Sequence, residues 1–149
     1  MCKHCDYAQL LEAADLEATA NRLLIMEVIG SNNSPLTAAE VFHTVERTRS
    51  INRVTVYRIL DLLVEKHLLE RISTGGRAAH FGMAPNEHHP SHPHFFCMNC
   101  GMMSCLSSES LTVHPENLQK TFPGRIQRIE IRVEGICNTC LKQEIKRSV

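Results

Sequence analysis

The sequence predicts an α+β protein: an N-terminal winged helix-turn-helix domain, then a smaller C-terminal α/β domain. Three observations carry this. Apolar residues recur at helical spacing through residues 19–66, strand-like runs flank a Gly-Gly pair at 75–76, and two C-x2-C pairs bracket short strand patterns beyond residue 93. The chain has 149 residues, of which 43% are hydrophobic and 21% charged, with a formal charge of zero. That balance excludes disordered and collagen-like chains. The longest strongly apolar patch, residues 23–29, is interrupted by Glu27, so no membrane span is expected. The first five residues lack the apolar run of a secretory leader, and a cytoplasmic protein is the expectation.

The elements follow in order. Thr19 opens a helix in which Leu24 and Val28, and Ile25 and Ile29, stack one turn apart; Gly30 is read as its stop. Thr37-Ala-Ala-Glu40 is a capping box that starts a second helix, with Val41, Phe42 and Val45 facing inward. Asn52 caps a third, in which Val56, Leu60 and Leu63 form the apolar stripe while Thr55 and Arg58 occupy a wetter face. Residues 68–72 and 77–83, joined through Ser-Thr-Gly-Gly, read as the hairpin wing. The domains are therefore expected at 1–84 (winged helix), 85–93 (a His- and Pro-rich hinge) and 94–149. In the last segment, strands are expected at 94–97 and 102–106, a short helix near 115–121, and a half-buried strand at 128–134, where Ile129, Ile131 and Val133 alternate with charged residues. So short a second domain points to a partner chain as the source of its missing burial.

Seven cysteines and nine histidines are many for a chain whose thiols stay reduced, and paired cysteines in that setting suit metal better than disulfides. Cys97, Cys100, Cys137 and Cys140 form two knuckles that together offer the closed four-sulfur tetrahedron of a structural zinc site. The knuckles lie 37 positions apart, so the ion ties the start of the second domain to its end. Such sites stabilise the fold by about 10 kcal/mol or more.

A second, regulatory set is expected from His80, His92 and His94, completed by Glu70 or Cys105. His92 and His94, two apart, project to one side of an extended segment. A hairpin centred on Gly75 makes Glu70 and His80 cross-strand partners, close enough to share an ion. Nitrogen donors with thiolate or carboxylate suit zinc better than iron(II) or manganese. An ion bridging wing and hinge would fix the arrangement of the two domains, which is the physical form of a switch. The Cys2-Lys3-His4-Cys5 run is a weaker metal candidate at a chain terminus.

For nucleic acid the bulk charge is unhelpful: residues 1–85 hold nine Lys/Arg against ten Asp/Glu. The positive field is local, at Arg47, Arg49, Arg53 and Arg58, so metal-free binding to arbitrary duplex should be feeble. Cys105 and His114 are the spare pair for a thiol nucleophile and no third group orients them, so no enzyme is expected. A zinc-storage or delivery protein is the competing class, but it has no need of an arginine-bearing helix.

These features converge on a known pattern. Arg53-Val54-Thr55-Val56-Tyr57-Arg58-Ile59-Leu60, the capped helix before it, the Gly-rich wing, the His run before C-x2-C-G and the final C-x2-C resemble the ferric uptake regulator family over residues 19–140. The resemblance implies a homodimeric, metal-dependent repressor that binds a palindromic operator in double-stranded DNA, with the C-terminal α/β domain serving dimerisation. Neither a membrane nor a small organic substrate is implied. By position, Arg22, Thr55, Tyr57 and Arg58 match the DNA-contacting residues. Iron- and peroxide-type members use a His where this chain has Pro35, and a further iron-type site falls on Ser91, Pro93, Thr112 and Ile129, none of them good ligands. Zinc uptake regulators carry a ligand at the place of Glu70, another near His80, and a His pair like His92 and His94. The resemblance therefore favours zinc as both structural and regulatory ion, with iron, nickel or manganese as alternative sensed metals.

Overall fold

A computed structural model describes residues 5–149; the Cys2–Cys5 metal candidate falls partly outside them. The chain divides into two compact units, the first ending at Ser91 and the second beginning at His92.

The first unit holds α1 (Tyr7–Ala13), α2 (Ala20–Gly30), β1 (Leu36–Thr37), α3 (Ala38–Glu46), α4 (Arg53–Glu65), β2 (Leu69–Ile72) and β3 (His80–Met83). Each expected helix begins at its expected cap. The Thr19 hydroxyl accepts from Arg22 N–H at 3.3 Å, Thr37 and Glu40 close a reciprocal capping box, and the Asn52 carbonyl oxygen accepts from Thr55 N–H at 2.8 Å. These side chains satisfy N–H groups that a first helical turn cannot bond internally. Leu11, Ile25, Met26, Val41, Val45, Val56, Leu60, Leu63 and Leu69 are the buried centre of one core.

Two elements here were not anticipated. Helix α1 is capped by Asp6, and its Tyr7 ring lies against Gly30, where any Cβ would collide with it. The glycine therefore ends α2 as a site of close approach; the cap residue after it, Ser31, keeps right-handed helical angles. Strand β1 is only two residues long and pairs with β3, giving the antiparallel order β1-β3-β2.

The wing register differs from the expected one. Ile72 opposes His80 and Glu70 opposes Gly82, so Glu70 and His80 are not cross-strand partners. The hairpin is centred one residue later than Gly75, because residues 77–79 stay in the loop. Gly75 and Gly76 both take positive φ there, and the Thr74 hydroxyl donates to the Arg77 carbonyl at 2.7 Å, closing the turn.

The second unit holds β4 (His94–Cys97), β5 (Met103–Cys105), α5 (Pro115–Thr121), β6 (Arg132–Gly135) and α6 (Asn138–Arg147). Its sheet has the order β5-β4-β6, with β4 antiparallel to β5 and parallel to β6. The alternating segment at 128–134 becomes regular strand only from Arg132, and Val133 stays 40% exposed. Helix α6 went unanticipated because its N-cap is Cys137, a residue that gives no capping signal.

Candidate metal centres and nucleic-acid face

The first knuckle turns between β4 and β5. Gly101 takes φ +77, and its N–H donates to the Cys97 carbonyl at 2.9 Å, which folds Cys100 back beside Cys97. The second knuckle is the entry to α6: Cys137 caps the helix and Cys140 sits in its first turn. Strand β6 carries the chain to that helix beside β4, with Gly135 opposite Cys97.

All four sulfurs lie within 4.8 Å of one another. Cys97 and Cys140 sulfurs are 3.9 Å apart and those of Cys100 and Cys137 3.8 Å, beyond disulfide bonding. A zinc tetrahedron with bonds near 2.3 Å has sulfur–sulfur edges of about 3.8 Å. Backbone N–H groups of Cys100 and Cys137 point at the Cys97 sulfur and lower its pKa to about 6; the Cys137 N–H lies 3.3 Å away. Hydrogen bonding with the Cys137 sulfur, and then burial, raise Cys140 to about 12. Four thiols so close cannot all ionise by themselves, and a divalent cation is what would let them. The donor set fits zinc.

The second cluster is His92, His94 and Cys105, whose donor atoms also lie within 4.8 Å of one another. Its construction is a matter of register. His94 opposes Cys105 on β5, so both side chains leave the same face of the sheet, and His92 lies two residues earlier on the same side. The two imidazole rings stand 4.6 Å apart, centroid to centroid. Burial, and secondarily the neighbouring His92, lower the His94 pKa to about 4, so at neutral pH it is the neutral imidazole that metals bind. Two nitrogens and a sulfur fit zinc as well.

Glu70 and His80 belong to the winged unit. His80 is buried on β3 between Thr37 and Ile72, and burial lowers its pKa while Glu40 acts in the opposite direction. Glu70 is half-buried on β2. One charged residue near the second cluster escaped the sequence reading. Glu130, just before β6, acts electrostatically on His94, and no sequence motif marks it.

On the winged unit, α4 presents Thr55, Tyr57 and Arg58. Thr55 is held by its cap, its hydroxyl donating to Asn52 at 2.9 Å, while Arg58 is exposed. Val54, 56% exposed, shares the outer face one turn before Arg58 and had not been singled out. Arg22 on α2 donates to the Glu17 carbonyl at 2.8 Å. Arg53 stacks over Phe42 at 5.1 Å, and Arg49 donates to Asn21 at 2.6 Å. No helix among the described residues is long and apolar enough to cross a membrane.

The ferric uptake regulator family matches residues 13–133 of this chain. A ferric uptake regulation protein of Bacillus subtilis is 26% identical over 136 residues, covering 90% of this chain and 91% of its own. Among solved structures, the Vibrio cholerae ferric uptake regulator superposes with a TM-score of 0.71 at 23% identity, covering 89% of this chain and all of that one. The Campylobacter jejuni peroxide stress regulator gives 0.69 at 22% identity, covering 91% of this chain and all of its own. The fold thus recurs in proteins named for different stimuli.

Proposed function

This chain belongs to the ferric uptake regulator family, whose members are metal-responsive, DNA-binding transcription regulators and not enzymes, and from that premise we propose that it is a zinc-responsive repressor of metal-uptake genes. The observation that carries the zinc assignment is the sulfur in the second cluster. Cys105 joins His92 and His94 there, whereas iron(II) and manganese favour sets richer in oxygen. One zinc is structural, on Cys97, Cys100, Cys137 and Cys140. A second, regulatory zinc takes His92, His94 and Cys105, and single substitutions of Glu70 and His80 test whether those residues add to its affinity.

The working unit is a homodimer in the cytoplasm that binds a palindromic operator. Two features support it: β6 is an edge strand, and Val133, Leu141 and Ile145 are exposed in the C-terminal unit. On the operator, Arg22 and Arg58 would contact phosphate or base edges, Tyr57 would pack on a sugar or thymine methyl, and Thr55 would hydrogen-bond nearby.

The test is a metal titration of the purified chain with an operator-sized palindromic duplex. Saturable binding driven by zinc, at free concentrations where iron(II) and manganese do nothing, is the expected result. Equal response to iron(II) overturns the zinc assignment. Arg58→Ala should abolish operator binding with both metals retained; unchanged duplex binding would favour storage or delivery of zinc.

A further inference from the structure

The second cluster sits at one end of a row that crosses all three strands. Cys105, His94 and Arg132 are register partners on β5, β4 and β6, and the N–H of His94 donates to the Ile131 carbonyl at 3.0 Å. Ile131, whose carbonyl takes this bond, directly follows Glu130, which puts Glu130 at the entry to this row. Arg132, opposite His94, shares the face of His94 and Cys105, and its ion pair with Glu134 (2.8 Å) runs along that face. Arg128 and Glu130 (3.2 Å) form a second ion pair just before the strand.

Glu130 is well placed for a role there. Its side chain is only 26% exposed, and its carboxylate lies within electrostatic reach of His94. Yet it is not among the donors that converge within 4.8 Å. A carboxylate beside a ligand set but outside it is the arrangement that orients a metal-bound imidazole and stabilises the charge it gains on binding.

We propose that Glu130 is the positioning carboxylate of the His92–His94–Cys105 centre, holding His94 in its ligating orientation. The inference rests on the regulatory-site reading above. It adds a residue that neither ligand spacing nor any match to other proteins assigns. Because a bound divalent ion with one thiolate leaves one net positive charge, Glu130 also neutralises the loaded centre.

The test measures zinc affinity of the full-length chain by competition with a chromophoric chelator, and cobalt(II) spectra of the same variants. Glu130→Gln should weaken the second zinc by about 10–100-fold, leave the four-thiolate zinc in place, and keep the cobalt–thiolate band and tetrahedral d–d pattern of the wild type. Glu130→Asp should recover part of the affinity. Arg128→Gln should bind the second zinc at least as well as wild type.

Three outcomes overturn the proposal: affinity within twofold of wild type in Glu130→Gln, the same loss in Arg128→Gln, or a lost donor in the cobalt spectrum. The second would make the ion pair merely structural, and the third would make Glu130 a ligand. A wild-type chain that binds one metal and no second sinks the regulatory-site reading itself, which is a distinguishable failure.

Discussion

In the winged unit, aliphatic side chains from four helices and a small sheet meet in one continuous core, while in the C-terminal unit the fully buried apolar groups are few. Phe96, Met103 and three of the four knuckle cysteines are buried there; Leu118, Phe122, Val133, Leu141 and Ile145 are exposed. The contrast shows two ways of meeting the cost of chain ordering. The first unit does so with apolar burial. The second is too small for that, and bonds to a metal at the knuckles together with cover for its outer face are what would replace it.

The largest expected effect breaks the second unit alone. Cys137→Ser, or a strong chelator, removes a contribution of about 10 kcal/mol or more, so the C-terminal unit should unfold with the winged unit intact. Limited proteolysis with mass spectrometry checks this; cleavage beginning in α4 would contradict it. The mirror experiment is Leu60→Ala, which should cost the winged unit about 2–5 kcal/mol by urea denaturation and leave zinc content unchanged.

A finer cut separates the two metal clusters. His94→Ala should lower bound zinc by one ion per chain and abolish zinc-driven operator binding, with the four-thiolate zinc and the circular dichroism spectrum preserved. Retention of both ions would show that the second cluster is not a metal site.

Acid gives a smaller effect. Burial holds His94 near a pKa of about 4 in the folded chain, against about 6.5 when unfolded, so the unfolded state takes the proton more readily. Its contribution is complete above pH 6.5 and lost as pH falls toward 4. The melting temperature of the chain loaded with the four-thiolate zinc alone should decline across that window, and less steeply in His94→Gln. Smallest is Asn52→Ala, which removes the α4 cap at about 1 kcal/mol of winged-unit stability; no measurable change would mean Thr55 is held without it.

What was legible in the sequence was local. Thr19, the Thr37–Glu40 box and Asn52 announce helix starts because their side chains bond the adjacent N–H groups, an interaction complete within four residues. The two C-x2-C pairs were legible for the same reason, since each chelating pair is contiguous. Register was not. The pairing of Ile72 with His80, and the row joining Cys105, His94 and Arg132, depend on strands distant in sequence and on how a seven-residue loop closes. Amino-acid order by itself determined the kind of fold and which side chains are able to bind an ion, because capping and chelate spacing are short-range chemistry. Only the tertiary structure decided which of them converge and brought Glu130 beside the second cluster, because neighbours across a sheet are chosen by long-range pairing.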